Sequence, residues 1–435
     1  MAPAGPAKRL RQGYGGPPKR SAKAEAGHYV LLLMLAAAPA AAQTFEQRGF
    51  VELRTELYPQ KGQQDDTWAL AEALFRYEPS VDAARWLRIR GSFDARLDTY
   101  DQVTRAWDVD VRDRTRTRPA LSIRSANATL SRGRVALDVG KQFIRWGKAD
   151  IVNPTDRFAP RDFLSVTDAD FLAVTGVRFA WGGDNDLVEG VWVPWFTPSR
   201  IPLYDKRWTV LPAPAADFDL HDRGATFPAG GQWGARWNHL ASGYEYSLSI
   251  YDGYHHLPLI DAQVLPTFAP PAILELSHRF PRLRMVGADL AWPLAWFTLK
   301  AEAGYFSSPA GDADEYVQYV IQAERQQGEL FLVGGYAGEA VQVRRTTTDF
   351  APDRGLTRAF LGRAFYTIDA NRSVASELAI RRDFGSFWLK GEYSQAVGAH
   401  WRATLAGSLV RGEPEDFIGQ FRDNSHVRLT ARYSF

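Results

Sequence analysis

No cysteine occurs anywhere in the 435 residues of this chain. Its absence excludes a disulfide framework, a thiolate zinc site and a cysteine nucleophile. It also suits a chain that crosses an oxidising compartment before it folds. Excess charge of one sign is lacking as well: 52 Lys and Arg against 50 Asp and Glu leave a net +2. A nucleic-acid binder built on a broad basic surface is thereby excluded. Beyond the N-terminus no apolar run reaches about 18 residues, so no helical membrane span is expected in the mature chain. Aromatic residues, by contrast, are plentiful: 13% of the total, including 14 Trp. Trp and Tyr favour membrane–water interfaces.

The N-terminus has the layout of an export signal. Lys8, Arg9, Arg11, Lys19, Arg20 and Lys23 form a basic region, and Tyr29–Ala38 is a short apolar one. Ala40-Ala41-Ala42 fits the small-x-small cleavage rule, so residues 1–42 are expected to be removed and the mature chain to begin at Gln43. A membrane anchor is the alternative, but the apolar run is too short to span. The long basic region is also consistent with a translation start downstream of Met1.

From Phe45 onward the dominant pattern has period two, which places alternate residues on opposite faces of a strand. In Trp86–Thr99, Leu87, Ile89, Phe93, Ala95 and Leu97 oppose Arg88, Arg90, Asp94, Arg96 and Asp98. Near the end, Val427, Leu429, Ala431, Tyr433 and Phe435 oppose Arg428, Thr430, Arg432 and Ser434. The segments run to roughly 10–13 residues, longer than the usual 5–6 of globular sheets and enough to cross a bilayer when tilted. Eighteen can be placed, from Phe45–Leu57 to Ser425–Phe435. Their connections alternate between tight turns, such as Glu78–Arg85, Ser131–Arg134 and Ala241–Gly243, and long stretches, such as Tyr100–Arg118, Trp146–Asp170, Thr197–Gly231 and Gly253–Arg282. Short periplasmic turns and long extracellular loops mark an outer-membrane barrel. The expected fold is an all-β, closed antiparallel transmembrane barrel of about 18 strands over residues 43–435. One connection, Asp383–Ser386, is short where a long one is expected, and 16 strands is the alternative count.

A sheet that spans lipid cannot keep free edges, so the last strand must pair with Phe45–Leu57. The chain stops within its alternation at Tyr433-Ser434-Phe435. This resembles the terminal strand of Gram-negative outer-membrane proteins, whose final aromatic is read by the barrel-assembly machinery. The resemblance implies an assembly signal at Tyr433 and Phe435.

With apolar faces toward lipid, the polar faces line the interior. The candidate pore-lining residues are Arg88, Arg90, Asp94, Arg96, Asp98, Arg124, Asp138, Gln142, Lys300, Glu302, Glu377, Arg381, Lys390, Glu392, Arg402, Arg428 and Arg432. A barrel of this size leaves a water-filled channel unless plugged. No plug domain is expected, because the strand pattern begins within a few residues of the cleavage site. The arginines either attract anionic solutes or pair with acids across strands; both readings stay open.

The segment after Val135–Arg145 reads Trp146-Gly147-Lys148-Ala149-Asp150-Ile151-Val152-Asn153-Pro154-Thr155-Asp156-Arg157. With Gly140-Lys141-Gln142 it resembles the G-[KR]-Q…W-G…N-P-[TL]-D stretch of a group of little-characterised porin-like outer-membrane proteins. The resemblance covers about 25 residues, and it implies a porin-like barrel without naming a solute. Asn153-Pro154-Thr155-Asp156 is also a turn or cap signal. A loop of this kind suits folding back into the mouth as a constriction carried by Trp146, Lys148, Asp150, Asn153, Asp156 and Arg157. An ordinary surface loop is the alternative.

Other clusters are weaker. Asp217, Asp219 and Asp222 lack the Gly and terminal Glu of a calcium loop and read as solvated acids. His255-His256 lacks a third metal ligand and reads as a surface loop tip. No Gly-x-Ser-x-Gly elbow and no phosphate loop occurs. The leading expectation is therefore a non-enzymatic channel for passive or facilitated diffusion of small hydrophilic solutes, anionic ones among them, with no cofactor and no metal. Its expected partners are outer-membrane lipid and lipopolysaccharide, the assembly machinery and the solutes, with monomer and homotrimer both open. An outer-membrane lipase or protease, or a non-channel surface β-protein, is the alternative.

Overall fold

The computed structural model describes residues 44–105, 112–210, 218–266, 271–345 and 354–435. The expected signal, with Ala40, Ala42 and Gln43, lies outside them, as does Asp217. Among the described residues there is no α-helix, and eighteen long strands form one sheet. They are β1 Thr44–Leu57, β2 Ala69–Ala84, β3 Leu87–Asp98, β4 Leu121–Arg132, β5 Val135–Gln142, β6 Val174–Gly182, β7 Asp186–Val193, β8 Gln232–Ala241, β9 Tyr244–Tyr254, β10 Arg282–Pro293, β11 Thr298–Ser307, β12 Glu315–Gln327, β13 Leu330–Val343, β14 Ala359–Thr367, β15 Arg372–Arg381, β16 Phe387–Val397, β17 Trp401–Arg411 and β18 His426–Ser434. Each pairs antiparallel with its sequence neighbour. The sheet closes through β1 and β18, in register from Phe50 opposite Ser434 to Leu57 opposite Val427.

The count of 18 therefore stands and the alternative of 16 falls. The short connection 382–386 is a tight turn in which Phe384 takes a left-handed conformation at φ 60° and its N–H donates to the Arg381 carbonyl (2.8 Å). Among the boundaries that differ, three have a clear physical cause. The expected turn Glu78–Arg85 is mostly strand, because Glu78 and Asp82 continue the polar face and pair with Arg48 (2.8 Å) and Arg88. β5 ends at Gln142, three residues early, because Ile144 and Trp146 turn into a buried apolar cluster. β7 ends at Val193, before Pro194, which has no N–H to give to a ladder.

Most strands carry an apolar, exposed face, as at Val51, Leu53, Phe93, Leu248, Ile250, Val286, Ile321, Leu405 and Leu429. Exposed aromatics mark both ends of this face. Trp86, Trp181, Trp292, Trp296 and Trp401 sit near the tight turns; Trp68, Trp192, Trp195 and Trp233 sit near the long connections. At the tight turns Gly133 (φ 59°) and Gly243 (φ 92°) hold left-handed conformations that only glycine adopts freely. The connections 194–231 and 255–281 build a separate three-stranded sheet from Asp219–Thr226, Ile273–Arg279 and Leu259–Leu265.

Candidate functional site: a loop folded into the barrel

The chain between β5 and β6 touches walls on opposite sides of the closed sheet. The Lys148 ammonium donates to Asn238 (3.0 Å) on β8 and to Glu245 (3.0 Å) and Ser247 (3.2 Å) on β9. It also pairs with Asp289 (2.9 Å) on β10. The Asp150 N–H donates to Gln322 (3.1 Å) on β12. Eighteen residues further on, Asp168 meets Lys390 on β16 and Arg428 on β18, and Asp170 meets Arg124 (3.0 Å) on β4. Ser247, Asp289 and Gln322 lie within their strands, away from the rim, so a segment that reaches them from the far side runs inside the cylinder. The loop therefore crosses the interior, and the polar faces are the inner ones.

Glu302 on β11 is the anchor. Its carboxylate accepts from the N–H groups of Lys148 (3.0 Å), Ala149 (3.2 Å) and Thr155 (2.7 Å), and from the Thr155 hydroxyl (2.8 Å). Gly147 allows this approach. Its φ is 92°, and a Cβ there would sit 2.6 Å from both carboxylate oxygens. Trp146 is buried against Phe158 at 5.2 Å, and Phe158 packs edge-on against Tyr251 at 5.0 Å. Asn153 donates to the Ala149 carbonyl, the Asp156 N–H closes a turn on the Asn153 carbonyl (3.2 Å), and Asp156 accepts from the Trp146 N–H (3.1 Å). Every residue of the Trp-Gly…Asn-Pro-Thr-Asp pattern except the proline thus has a contact that shapes the loop. Burial pushes the Asp156 carboxyl up, against the pull of Arg145. Arg157 lies over the Phe306 ring (5.0 Å).

A chain of alternating charges extends from this loop over the β1–β6 side. Lys141 meets Asp113; Asp113 meets Arg200 (3.1 Å); Arg200 meets Asp162 (3.1 Å); Asp162 meets Arg118 (2.8 Å); Arg118 meets Glu72 (3.0 Å). From Glu72 it continues through Arg96, Asp94 (3.0 Å), Arg76 (2.7 Å) and Asp170 (3.8 Å) to Arg124. Burial opposes the charge on Asp162, but Arg118 and Arg200 outweigh it and hold the carboxyl well below the usual range. Buried charges of this kind persist only when paired and hydrogen-bonded.

The remaining candidate residues fall into two groups. Asp94, Gln142, Glu302 and Arg428 are buried in contacts with wall or loop. Gln142 donates to the Gly176 carbonyl (3.2 Å), and Arg428 pairs with Glu56 (2.7 Å). Asp98 accepts from the Gln102 N–H (2.8 Å), and Asp138 lies 3.9 Å from Arg178. Lys300 meets Asp150 (3.5 Å) and Glu324; Arg381 meets Asp416 (2.8 Å); Arg363 meets Glu377 (2.7 Å); Lys390 lies 3.9 Å from Glu392. Arg88 pairs with Asp82, while Arg54 and Arg432 share Glu52. Arg90 and Arg402 are exposed and have no carboxylate within salt-bridge distance among the described residues. Sequence reasoning missed Asp113, Arg118, Asp162, Arg200 and Asp289, whose partners lie too far along the chain for any local pattern to announce.

Two expectations about other clusters change. His255-His256 is not a surface tip. His255 is buried, and His256 is partly buried, lies between the Thr197 (2.6 Å) and Arg157 (2.9 Å) carbonyls and stacks on Phe196. Asp219 and Asp222 lie on a strand rather than a loop and pair with His221 (3.1 Å) and Arg116. At the closure, Phe435 exchanges two backbone hydrogen bonds with Gly49, both 3.0 Å, and stacks on Phe75 (6.2 Å). Tyr433 packs against Trp401 (5.1 Å).

The architecture is similar to solved porins. A BenF-like porin from Pseudomonas fluorescens Pf-5 matches with a TM-score of 0.53 at 10% identity, over 91% of this chain and 98% of that one. OccK9 (OpdG) of Pseudomonas aeruginosa matches at 0.50 and 11% identity, over 91% and 98%. No protein-family model matches the chain, and no curated protein matches it in sequence. At these identities the shared property is the fold: a closed 18-stranded antiparallel barrel of the porin kind.

Proposed function

We propose that the chain is an outer-membrane channel for small hydrophilic solutes, exported by a signal peptide that ends at Ala42. The observation that carries the reading is the Lys148–Asp170 crossing of a polar interior. Apolar clusters around Trp146 and Phe158 seat the loop on one part of the wall, and the charged faces of the other strands leave a polar lumen that the loop narrows. The apolar outer face, bounded at both ends by exposed Trp, supports a membrane setting. A preference for anions is the finer reading. Among the described residues, Arg90 and Arg402 carry charge with no carboxylate partner, and Arg54 and Arg432 have one carboxylate, Glu52, between them. Rings of such side chains set selectivity in pores. The candidate pore-lining set takes this role where its members face open lumen, and the Trp146–Arg157 segment takes the role of constriction.

Purified protein reconstituted into liposomes tests the reading. Small sugars should enter and swell the vesicles, with a sharp fall in rate as sugar size grows. Under a KCl gradient the reversal potential should have the sign of anion preference. Vesicles that exclude every solute would remove the channel reading; a cation-selective reversal potential would remove only the finer one.

A further inference from the structure

The long connections carry a feature that a barrel does not need. In the separate three-stranded sheet, Ile273–Arg279 lies at the centre, parallel to Asp219–Thr226 and antiparallel to Leu259–Leu265. Both outer strands are edges, and they differ. Asp219–Thr226 carries Asp219, His221, Asp222 and Arg223, and its register shifts between Asp222 and Ala225 around Gly224 at φ 85°. Charges and bulges are how sheet edges are kept from pairing further. Leu259–Leu265 has neither a bulge nor a basic residue. Its central residues, Ile260 to Val264, are exposed, with Ile260 at 47% and Val264 at 52%. Among the described residues no strand pairs with its outer side, toward which alternate residues turn their N–H and C=O groups.

The strand reads almost the same in both directions: Leu-Ile-Asp-Ala-Gln-Val-Leu. When it is laid antiparallel on itself about a two-fold axis at Ala262, Leu259 faces the partner's Leu265 and Ile260 faces the partner's Val264. Asp261 then faces the partner's Gln263, an acceptor against an amide donor, and the two Ala262 face each other. No like charges are opposed, and the Asp261 charge is met within its own chain by Arg279 (2.9 Å). Opposed apolar pairs and a donor–acceptor pair are what stabilise an antiparallel ladder. A single self-complementary patch gives a two-fold, isologous interface.

We propose that Leu259–Leu265 is a self-association edge, through which two copies of this chain join by antiparallel strand pairing into one continuous sheet. The surface is independent of what the lumen conducts.

The test uses the full chain, purified in detergent. Sedimentation over a range of protein concentrations should show a two-chain species. The double variant Ile260→Lys and Val264→Lys brings lysines face to face and should weaken association by about 100-fold or more. A heat-dependent shift in gel mobility shows that its barrel is still folded. Because the chain has no cysteine, Ala262→Cys gives a single thiol at the two-fold axis. Antiparallel neighbours have Cα atoms about 4.5–5.5 Å apart, within disulfide reach. Mild oxidation should link the copies through Ala262→Cys and not through His221→Cys on the opposite edge. A monomer at every concentration, a three-chain species, an unchanged mass in the lysine variant, or no linkage at position 262 would each overturn the proposal.

Discussion

Glu302 and Thr155 are 147 positions apart, yet the Glu302 carboxylate accepts two hydrogen bonds from Thr155, one from its backbone N–H at 2.7 Å and one from its hydroxyl at 2.8 Å. This contact ties the middle of the β5–β6 connection to the inner wall at β11. It adds to the hold that Lys148 and the buried Trp146 and Phe158 have on the same segment.

Glu302→Ala should therefore release the loop. Hydrogen bonds to a charged group are worth about 1.5–3 kcal/mol each, and four donors lose one acceptor. The expected outcome is a barrel that still folds, with faster proteolysis within residues 146–158 and larger, noisier conductance steps. Limited proteolysis and single-channel recording check the two halves separately. Unchanged proteolysis would mean that the apolar packing of Trp146 and Phe158 holds the loop alone.

Asp162→Asn should be costly because it leaves Arg118 and Arg200 buried around a neutral amide. Breaking a buried charge network by removing one member costs about 3–5 kcal/mol. Asp82→Asn, at the exposed pair with Arg88, should leave the midpoint almost unchanged. Denaturation midpoints of the two variants in guanidinium check the contrast.

His256 gives the acid response a defined window. Burial pushes its pKa down to about 4, against the two carbonyls that would welcome its charged form. A histidine whose folded pKa lies below its unfolded value of about 6.5 stabilises the fold fully above pH 6.5. As the pH falls from there toward 4, the unfolded chain takes up a proton that the folded chain refuses, and stability drops by up to roughly 3 kcal/mol. His256→Asn should flatten the midpoint of denaturation between pH 7 and 4.5. An equally steep decline in the variant would assign it to the carboxylates.

Phe435 and Gly49 predict an assembly defect. A Cβ on Gly49 would lie 2.6 Å from the Phe435 ring and equally close to the Arg76 carbonyl. Gly49→Val and deletion of Phe435 should each lower the yield of heat-modifiable barrel several-fold, measured on unheated gels of refolded protein.

Much of this fold is legible along the chain because period-two alternation is a local property. Arg88, Arg90, Asp94 and Arg96 announce an inner face without knowledge of their neighbours, and Gly133 and Gly243 announce tight turns. The ends of strands are less legible. β2 runs on to Ala84 because Glu78 and Asp82 find Arg48 and Arg88, which the local pattern cannot foretell. The site divides in the same way. Asn153-Pro154-Thr155-Asp156 reads as a turn and is one, but nothing near Glu302 marks it as the acceptor for that turn. His255-His256 reads as polar and exposed because the carbonyls and the Phe196 ring that enclose His256 come from other connections.

The central claim is that the lumen is wet and continuous past the loop. Single-channel recording in planar bilayers, with the purified chain in KCl solution, tests it most directly. The account predicts discrete conductance steps in the wild type and larger ones in Glu302→Ala. A folded, heat-modifiable barrel that inserts into the bilayer yet gives no steps, in either form and at any salt concentration or voltage, would contradict it.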